Sequence, residues 1–141
     1  MTDVCDADSS ALSVQVGGSH YKDFPVQPVE HLEANGIAQC LPSVCKYVMR
    51  FLGKEGAKDL RKALHFLALW EQLNAEGRAA PKDLIPLEVV LDMCRLDRLN
   101  DDQTVVMVAT QTDAFGDDWM NRARLGLERL LVIHYGAQAG A

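Results

Sequence analysis

The chain lacks the features that mark several common classes of protein. Its 141 residues contain no apolar run near the roughly 20 residues that a membrane span needs. Its N-terminus is acidic and rich in serine, whereas a signal peptide is basic and then apolar. No internal repeat is present. These absences predict one ordinary domain in the cytoplasm, without a membrane partner.

Cysteine is sparse and unpaired along the sequence. Cys5, Cys40, Cys45 and Cys94 form no C-x-x-C pair, which gives little support to a four-cysteine zinc site. A secreted disulfide scaffold would be shorter and richer in cysteine. We therefore expect four reduced, partly buried thiols and predict no metal ligands.

The usual phosphate-binding and zinc-protease motifs are also missing. The chain has no G-x-x-x-x-G-K-[ST], no G-x-G-x-x-G after a strand and no H-E-x-x-H. The G-x-x-G that begins at Gly53 and ends at Gly56 is too short to replace a P-loop. The sequence therefore excludes an ordinary P-loop kinase and leaves other anion sites open.

A concentrated positive segment is present instead. Six of the fourteen Lys and Arg residues lie between Lys46 and Lys62, against only Glu55 and Asp59, so the segment carries +4. The rest of the chain carries −10, with eight basic and eighteen acidic residues. A cationic patch on an acidic protein favours a small phosphorylated ligand over nucleic acid, which the remaining surface would repel.

Periodicity predicts an all-α fold, a small helical bundle with a central antiparallel helix hairpin and a C-terminal helical extension. The predicted helices cover residues 29–34, 43–52, 57–74, 86–99, 104–109 and 119–135. Ser43 is the expected cap of the second helix. Lys46 and Arg50 share one exposed edge of that helix, and His31 and Glu33 on the first helix are expected to face water or the site.

An ordered set of short motifs resembles a known family over residues 20–73. The set is His20-Tyr21, Pro28-Val29-Glu30, Lys46-Tyr47-Val48-x-Arg50, Lys54-x-Gly56 and Asp59-Leu60-x-Lys62-Ala63. It is similar to the SaV-like nucleotide kinase family of bacteriophages. The resemblance implies a small oligomeric phage protein in the host bacterial cytoplasm that phosphorylates deoxynucleoside monophosphates without a P-loop. A nucleoside triphosphate would be the phosphate donor.

The resemblance also implies roles for individual residues. The implied catalytic residues are Arg50, Lys46 and Asp59. The implied ligand-binding residues are His20, Tyr21, Glu30, Lys46, Arg50, Lys54 and Lys62. Arg50 and the lysines would hold phosphate, and His20 and Tyr21 would contact the base or sugar. A carboxylate at Asp59 is equally well explained by the start of the third helix, where the helix dipole favours it.

The predicted organisation has three parts. Residues 1–18 form a flexible arm, 19–75 the kinase-like helical domain, and 82–136 a C-terminal helical region packed on it or on a partner subunit. The broad apolar face of 119–135 predicts a homo-oligomer. Two functions remain open, a nucleoside monophosphate kinase and a non-catalytic sponge that sequesters a host defence signalling nucleotide. A ligand-free interaction module would leave the basic edge unexplained.

Overall fold

The computed structural model describes residues 11–14, 16 and 23–136, and no strand occurs among them. These described residues form six α-helices, which are α1 Pro28–Ala34, α2 Cys40–Arg50, α3 Ala57–Ala75, α4 Leu87–Leu96, α5 Asp101–Gln111 and α6 Trp119–Tyr135. The predicted all-α bundle is confirmed. His20, Tyr21 and most of the predicted N-terminal arm lie outside the described residues. No helix in the described part is both long and apolar enough to cross a membrane.

The centre of the fold is the antiparallel pair α2 and α3. On α2, the buried residues Cys40, Val44 and Val48 recur at every fourth position and form one stripe against the core. The chain then passes through a 3-10 turn, Phe51–Gly53, and enters α3 at Gly56, whose φ of 59° is a left-handed value that favours glycine. This short connection keeps the ends of both helices close together.

The C-terminal helices pack on this pair within the same chain. α5 contacts α2, α6 contacts α3, and α4 contacts α5, so that all share one continuous core. Residues 106–110 of α5 are all buried, because α5 has neighbours on three sides. This burial explains why the β-branched segment 104–109 is helical, as predicted, since tertiary packing outweighs a weak intrinsic preference for strand.

Two local expectations about the first helices are wrong. The α2 helix begins at Cys40 and not at Ser43, because the Glu33 carboxylate accepts the backbone N–H groups of Gln39 and Cys40 at 2.7 and 2.8 Å. Glu33 also accepts the Ala80 N–H at 2.7 Å and is 1% exposed. It therefore does not face water, whereas His31 does.

Candidate functional site: a basic cluster around Tyr47

The candidate site is a group of cations around one aromatic ring. The Lys46 Nζ and the Arg50 Cζ each lie 4.8 Å from the centroid of the Tyr47 ring, and the Lys62 Nζ lies 5.3 Å from it. We call Lys46, Arg50 and Lys62 with Tyr47 the basic cluster. Each cation lies within about 10 Å of the others, about one Debye length at 0.1 M salt, so their repulsion is only partly screened.

Helix geometry brings these residues together. Arg50 follows Tyr47 by three positions on α2, which places both side chains on neighbouring points of one helix face. Lys62 comes from the first half of α3, which packs against α2. The ring lies 6.1 Å from Phe66 of α3 at an interplanar angle of 16°, so the two rings are stacked across the helix pair.

Arg50 connects the cluster to a buried carboxylate. Its Nε and Nη2 donate to the two carboxylate oxygens of Asp59 at 3.3 and 3.2 Å, and Asp59 also accepts the Glu55 N–H at 3.2 Å. Asp59 is fully buried, while the Arg50 side chain is 34% exposed. The hydrogen bond to Asp59 raises the pKa of Arg50 above its ordinary value. Arg50 thus anchors the turn and still presents part of its guanidinium to solvent.

Lys46 is the most accessible cation of the cluster, because the side chains of Lys62 and Arg50 are only 19% and 34% exposed. Lys62 donates to Glu55 at 3.2 Å, but the Glu55 side chain is 46% exposed, and such surface pairs are weak. Lys46 is exposed and has no carboxylate partner within residues 23–136. The nearby His65 adds no positive charge at neutral pH, because burial lowers its pKa. The accessible part of the cluster therefore has an excess of cations.

Some predicted site residues lie elsewhere. Glu30 accepts from Arg78 Nη1 at 2.6 Å, just beyond the C-terminal end of α3. Lys62 lies near the N-terminal end of α3, about 20 Å away at the helical rise per residue. Lys54 is exposed in the turn before α3, without a ring contact in the described part of the chain. The structure thus brings Lys46, Arg50, Lys62 and Asp59 together and separates Glu30 from them.

The central position of Tyr47 is a feature of the cluster that was not predicted from the sequence. The available signal was its spacing, with Lys46 adjacent and Arg50 three residues later, because a ring at that spacing meets the cation. Within the described ranges, no group of His, Cys, Asp and Glu side chains is arranged to hold a metal ion.

Comparison with known proteins corrects the predicted family. Residues 16–68 match the family model of a protein of unknown function, DUF3310, and no nucleotide kinase family matches. The resemblance to the SaV-like kinases is therefore wrong. Each of its short motifs, such as Lys46-Tyr47-Val48-x-Arg50, is a weak signal alone. No curated protein and no solved structure matches the chain.

Proposed function

We propose that this protein binds a small phosphorylated ligand, a nucleoside phosphate, through the basic cluster. The observation that carries the proposal is the convergence of three cations on the Tyr47 ring. Of the carboxylates that pair with them, Asp59 is fully buried and Glu55 is largely exposed. A phosphate dianion would supply the negative charge that the exposed side of the cluster lacks.

Several donors of the basic cluster are free, or easily freed, to bind a phosphate. The Lys46 ammonium is unpaired within the described residues, and Arg50 Nη1 makes no hydrogen bond there. Lys62 can exchange its exposed partner Glu55 for a phosphate oxygen at small cost, since an exposed ion pair contributes about 1 kcal/mol or less. Three donors on one side of the molecule suit the three terminal oxygens of a phosphate.

The nucleoside part of the proposal rests on the aromatic pair beside the cations. Tyr47 and Phe66 are both half-buried and offer apolar surface next to the phosphate-sized charge. Stacking on aromatic side chains is a sequence-tolerant way to hold a base. A long polyanion fits less well, because the chain outside residues 46–62 carries −10.

Phosphoryl transfer has less support than binding. The kinase reaction came with the family resemblance, and Asp59, to which it gave a catalytic role, is fully buried and bonded to Arg50 and to the Glu55 N–H. The non-catalytic nucleotide-binding protein is therefore our preferred form of the proposal. The phage origin, the host-cytoplasmic location and the homo-oligomer stay predictions. The homo-oligomer would use the exposed apolar residues of α6, which include Leu125, Val132 and Ile133.

The test is calorimetric titration of the full chain with deoxynucleoside mono- and triphosphates and with the unphosphorylated nucleosides. We expect saturable binding only with phosphate present. Lys46→Gln should weaken binding about tenfold, the effect of losing one charged hydrogen bond. Lys58→Gln is the matched control, because it removes the same charge from an exposed α3 position without a described contact to the Tyr47 ring.

Two outcomes would contradict the proposal. One is the absence of binding by every phosphorylated probe, and the other is an equal loss of affinity in Lys46→Gln and Lys58→Gln, which would indicate only general attraction by charge. Chromatography of the same protein incubated with ATP, magnesium and each monophosphate tests transfer. Formation of diphosphate would restore the kinase prediction and keep the binding site.

A further inference from the structure

A cavity of about 310 Å³ lies at the opposite end of the helix pair from the basic cluster. It opens between the start of α2, the second half of α3, the segment after α3 and the end of α5. Its lining includes Leu41, Cys45, Trp70, Pro81, Asp83 and Gln111. Most of the lining is apolar, as in sites for small molecules. This cavity shares no residue with the basic cluster.

Hydrogen bonds within the chain hold the walls of the cavity in place. The Trp70 Nε1 donates to the Ala80 carbonyl at 3.0 Å, and the Ala80 N–H donates to Glu33 at 2.7 Å. The segment after α3 is thereby fixed to both α3 and α1. Because the walls are already ordered, binding would need little further ordering of the protein, which favours affinity.

The polar groups that α2 and α5 contribute to the cavity lining are neutral and bonded to one another. The Cys45 Sγ lies 3.3 Å from Thr110 Oγ1 and accepts from Gln111 Nε2 at 3.0 Å. Thr110 Oγ1 in turn donates to the Val106 carbonyl at 2.8 Å. Burial raises the pKa of the Cys45 thiol, so it stays protonated at neutral pH. This side of the cavity therefore accepts an uncharged, mainly apolar group.

The mouth of the cavity carries an unneutralised negative charge. Asp83 lines it, is exposed, and has no ion pair among the residues that the structure describes. Its neighbour Lys82 does not neutralise it, because the Lys82 Nζ donates to the Ala109 and Thr112 carbonyls and lies 4.3 Å from the Trp119 ring centroid. Glu33, the other carboxylate of the lining, already accepts three backbone N–H groups.

We propose that this cavity is a second binding site, for a small molecule with one aromatic ring and a cationic amine on a short chain. Its volume is about twice the roughly 150 Å³ that suffices for benzene in an apolar cavity, which leaves room for a ring and a short chain. The ring packs in the apolar interior beside Trp70. The amine reaches Asp83 at the mouth, where a cation is attracted and an anion is repelled.

Three probes of similar size separate the effect of the ring from that of the charge: the cationic 2-phenylethylamine, the neutral 2-phenylethanol and the anionic phenylacetate. Tryptophan fluorescence, excited where these probes do not absorb, reports binding, since Trp70 lines the cavity and the chain's other tryptophan, Trp119, lies 5.2 Å from it. We expect saturable changes with affinity in the order amine, alcohol, acid. The amine should bind about fivefold more tightly than the alcohol, the upper range for an exposed ion pair.

Two variants with matched controls locate the site. Asp83→Asn should lower the affinity for the amine to that for the alcohol. Asp117→Asn, at an exposed position of the turn before α6, should change neither of these two affinities. Ala38→Phe should abolish binding of all three by filling the cavity, whereas Ala34→Phe, on the exposed surface of α1, should not. Circular dichroism checks that each variant is folded.

The proposal is overturned if no probe gives a saturable change, or if the amine and the alcohol bind equally to the native chain. It is also overturned if Ala38→Phe folds and binds normally. The cavity proposal can fail while the nucleotide proposal holds, because Asp83→Asn should leave the affinity for deoxynucleoside phosphates unchanged.

Discussion

The two ends of the α2–α3 pair each contain one fully buried carboxylate, and the two are held in different ways. At the turn end, Asp59 is paired with the guanidinium of Arg50. At the open end, Glu33 accepts three backbone N–H groups and has no ion pair with any residue that the structure describes. Both satisfy the requirement that a buried charge be hydrogen-bonded. Only Asp59 is bonded to a side chain, that of Arg50, which also reaches the surface.

This difference determines how binding and stability are connected. Arg50 belongs both to the basic cluster and to the internal tie to Asp59, so a ligand there and the fold share one residue. At the open end, Glu33 fixes the cavity wall from inside, while Asp83 at the mouth has no structural partner in the described part. We expect stability and ligand affinity to change together at the turn end and separately at the open end.

The largest expected effect is at the turn end. Replacing Arg50 with Met should leave the buried Asp59 without its cation, which is strongly destabilising. We expect the melting temperature to fall by about 10 °C for a chain of this size. Thermal unfolding by circular dichroism gives the measurement.

A second substitution serves as the control for this result. If the loss comes from a stranded charge, adding Asp59→Asn to Arg50→Met should recover part of the melting temperature, because an amide tolerates burial better than a lone carboxylate. A double variant less stable than Arg50→Met would show instead that Asp59 acts through the Glu55 N–H, and that the ion pair is secondary.

The next effect is at the open end. Glu33→Gln keeps the shape of the side chain. Each carboxylate oxygen of Glu33 accepts a backbone N–H, and the substitution replaces one of these oxygens with an NH2 group, so that two donors face each other. We expect the free energy of unfolding to fall by about 2–3 kcal/mol, the cost of leaving a buried polar group unsatisfied. Urea denaturation measures it, with the exposed Glu88→Gln as control.

Glu33→Gln also tests the comparison between the two ends. Its affinity for a deoxynucleoside phosphate should equal that of the native chain, because Glu33 lies at the far end of the helix pair from the basic cluster. A loss of nucleotide affinity in a folded Glu33→Gln protein would show that the two ends are coupled, contrary to the separation that the structure suggests.

The helices were predictable from sequence because their signals are local. The apolar stripe of α3 and the stop at Gly136 after α6 lie within the helices or next to them, and both helices agree with the prediction to within one residue. The start of α2 was missed, because its cap comes from Glu33, seven residues before Cys40 and on another helix. The third bond of Glu33, to Ala80, joins residues 47 positions apart, which no local pattern contains.

The candidate site was predictable only in part, for the same reason. The density of Lys and Arg in residues 46–62 located the positive charge, and the helical spacing placed Arg50 near Lys46. The contact of Lys62 with the Tyr47 ring depends on how α2 packs against α3, which is a property of the fold. The cavity beside Trp70 has no sequence signal at all, because four separate segments form it.

The smallest expected effect concerns the glycines of the turn. Gly56 has a φ of 59°, and a Cβ there would meet the Tyr135 hydroxyl oxygen at 3.0 Å. The φ of Gly53 is not in the left-handed range, and a Cβ added at Gly53 would have no other atom within 4 Å. Gly56→Ala should therefore lower the free energy of unfolding by about 1–2 kcal/mol, mainly through backbone strain. Gly53→Ala should change it little.

Gly56→Ala should also weaken nucleotide binding, which Glu33→Gln should not. Gly56 adjoins Glu55, whose N–H donates to Asp59 and whose carboxylate holds Lys62, so a distorted turn moves two groups beside the basic cluster. Urea denaturation and calorimetry on the same samples give both quantities. If Gly56→Ala lost stability but bound nucleotide normally, the turn would be a scaffold only, and the coupling of stability to binding would rest on Arg50 alone.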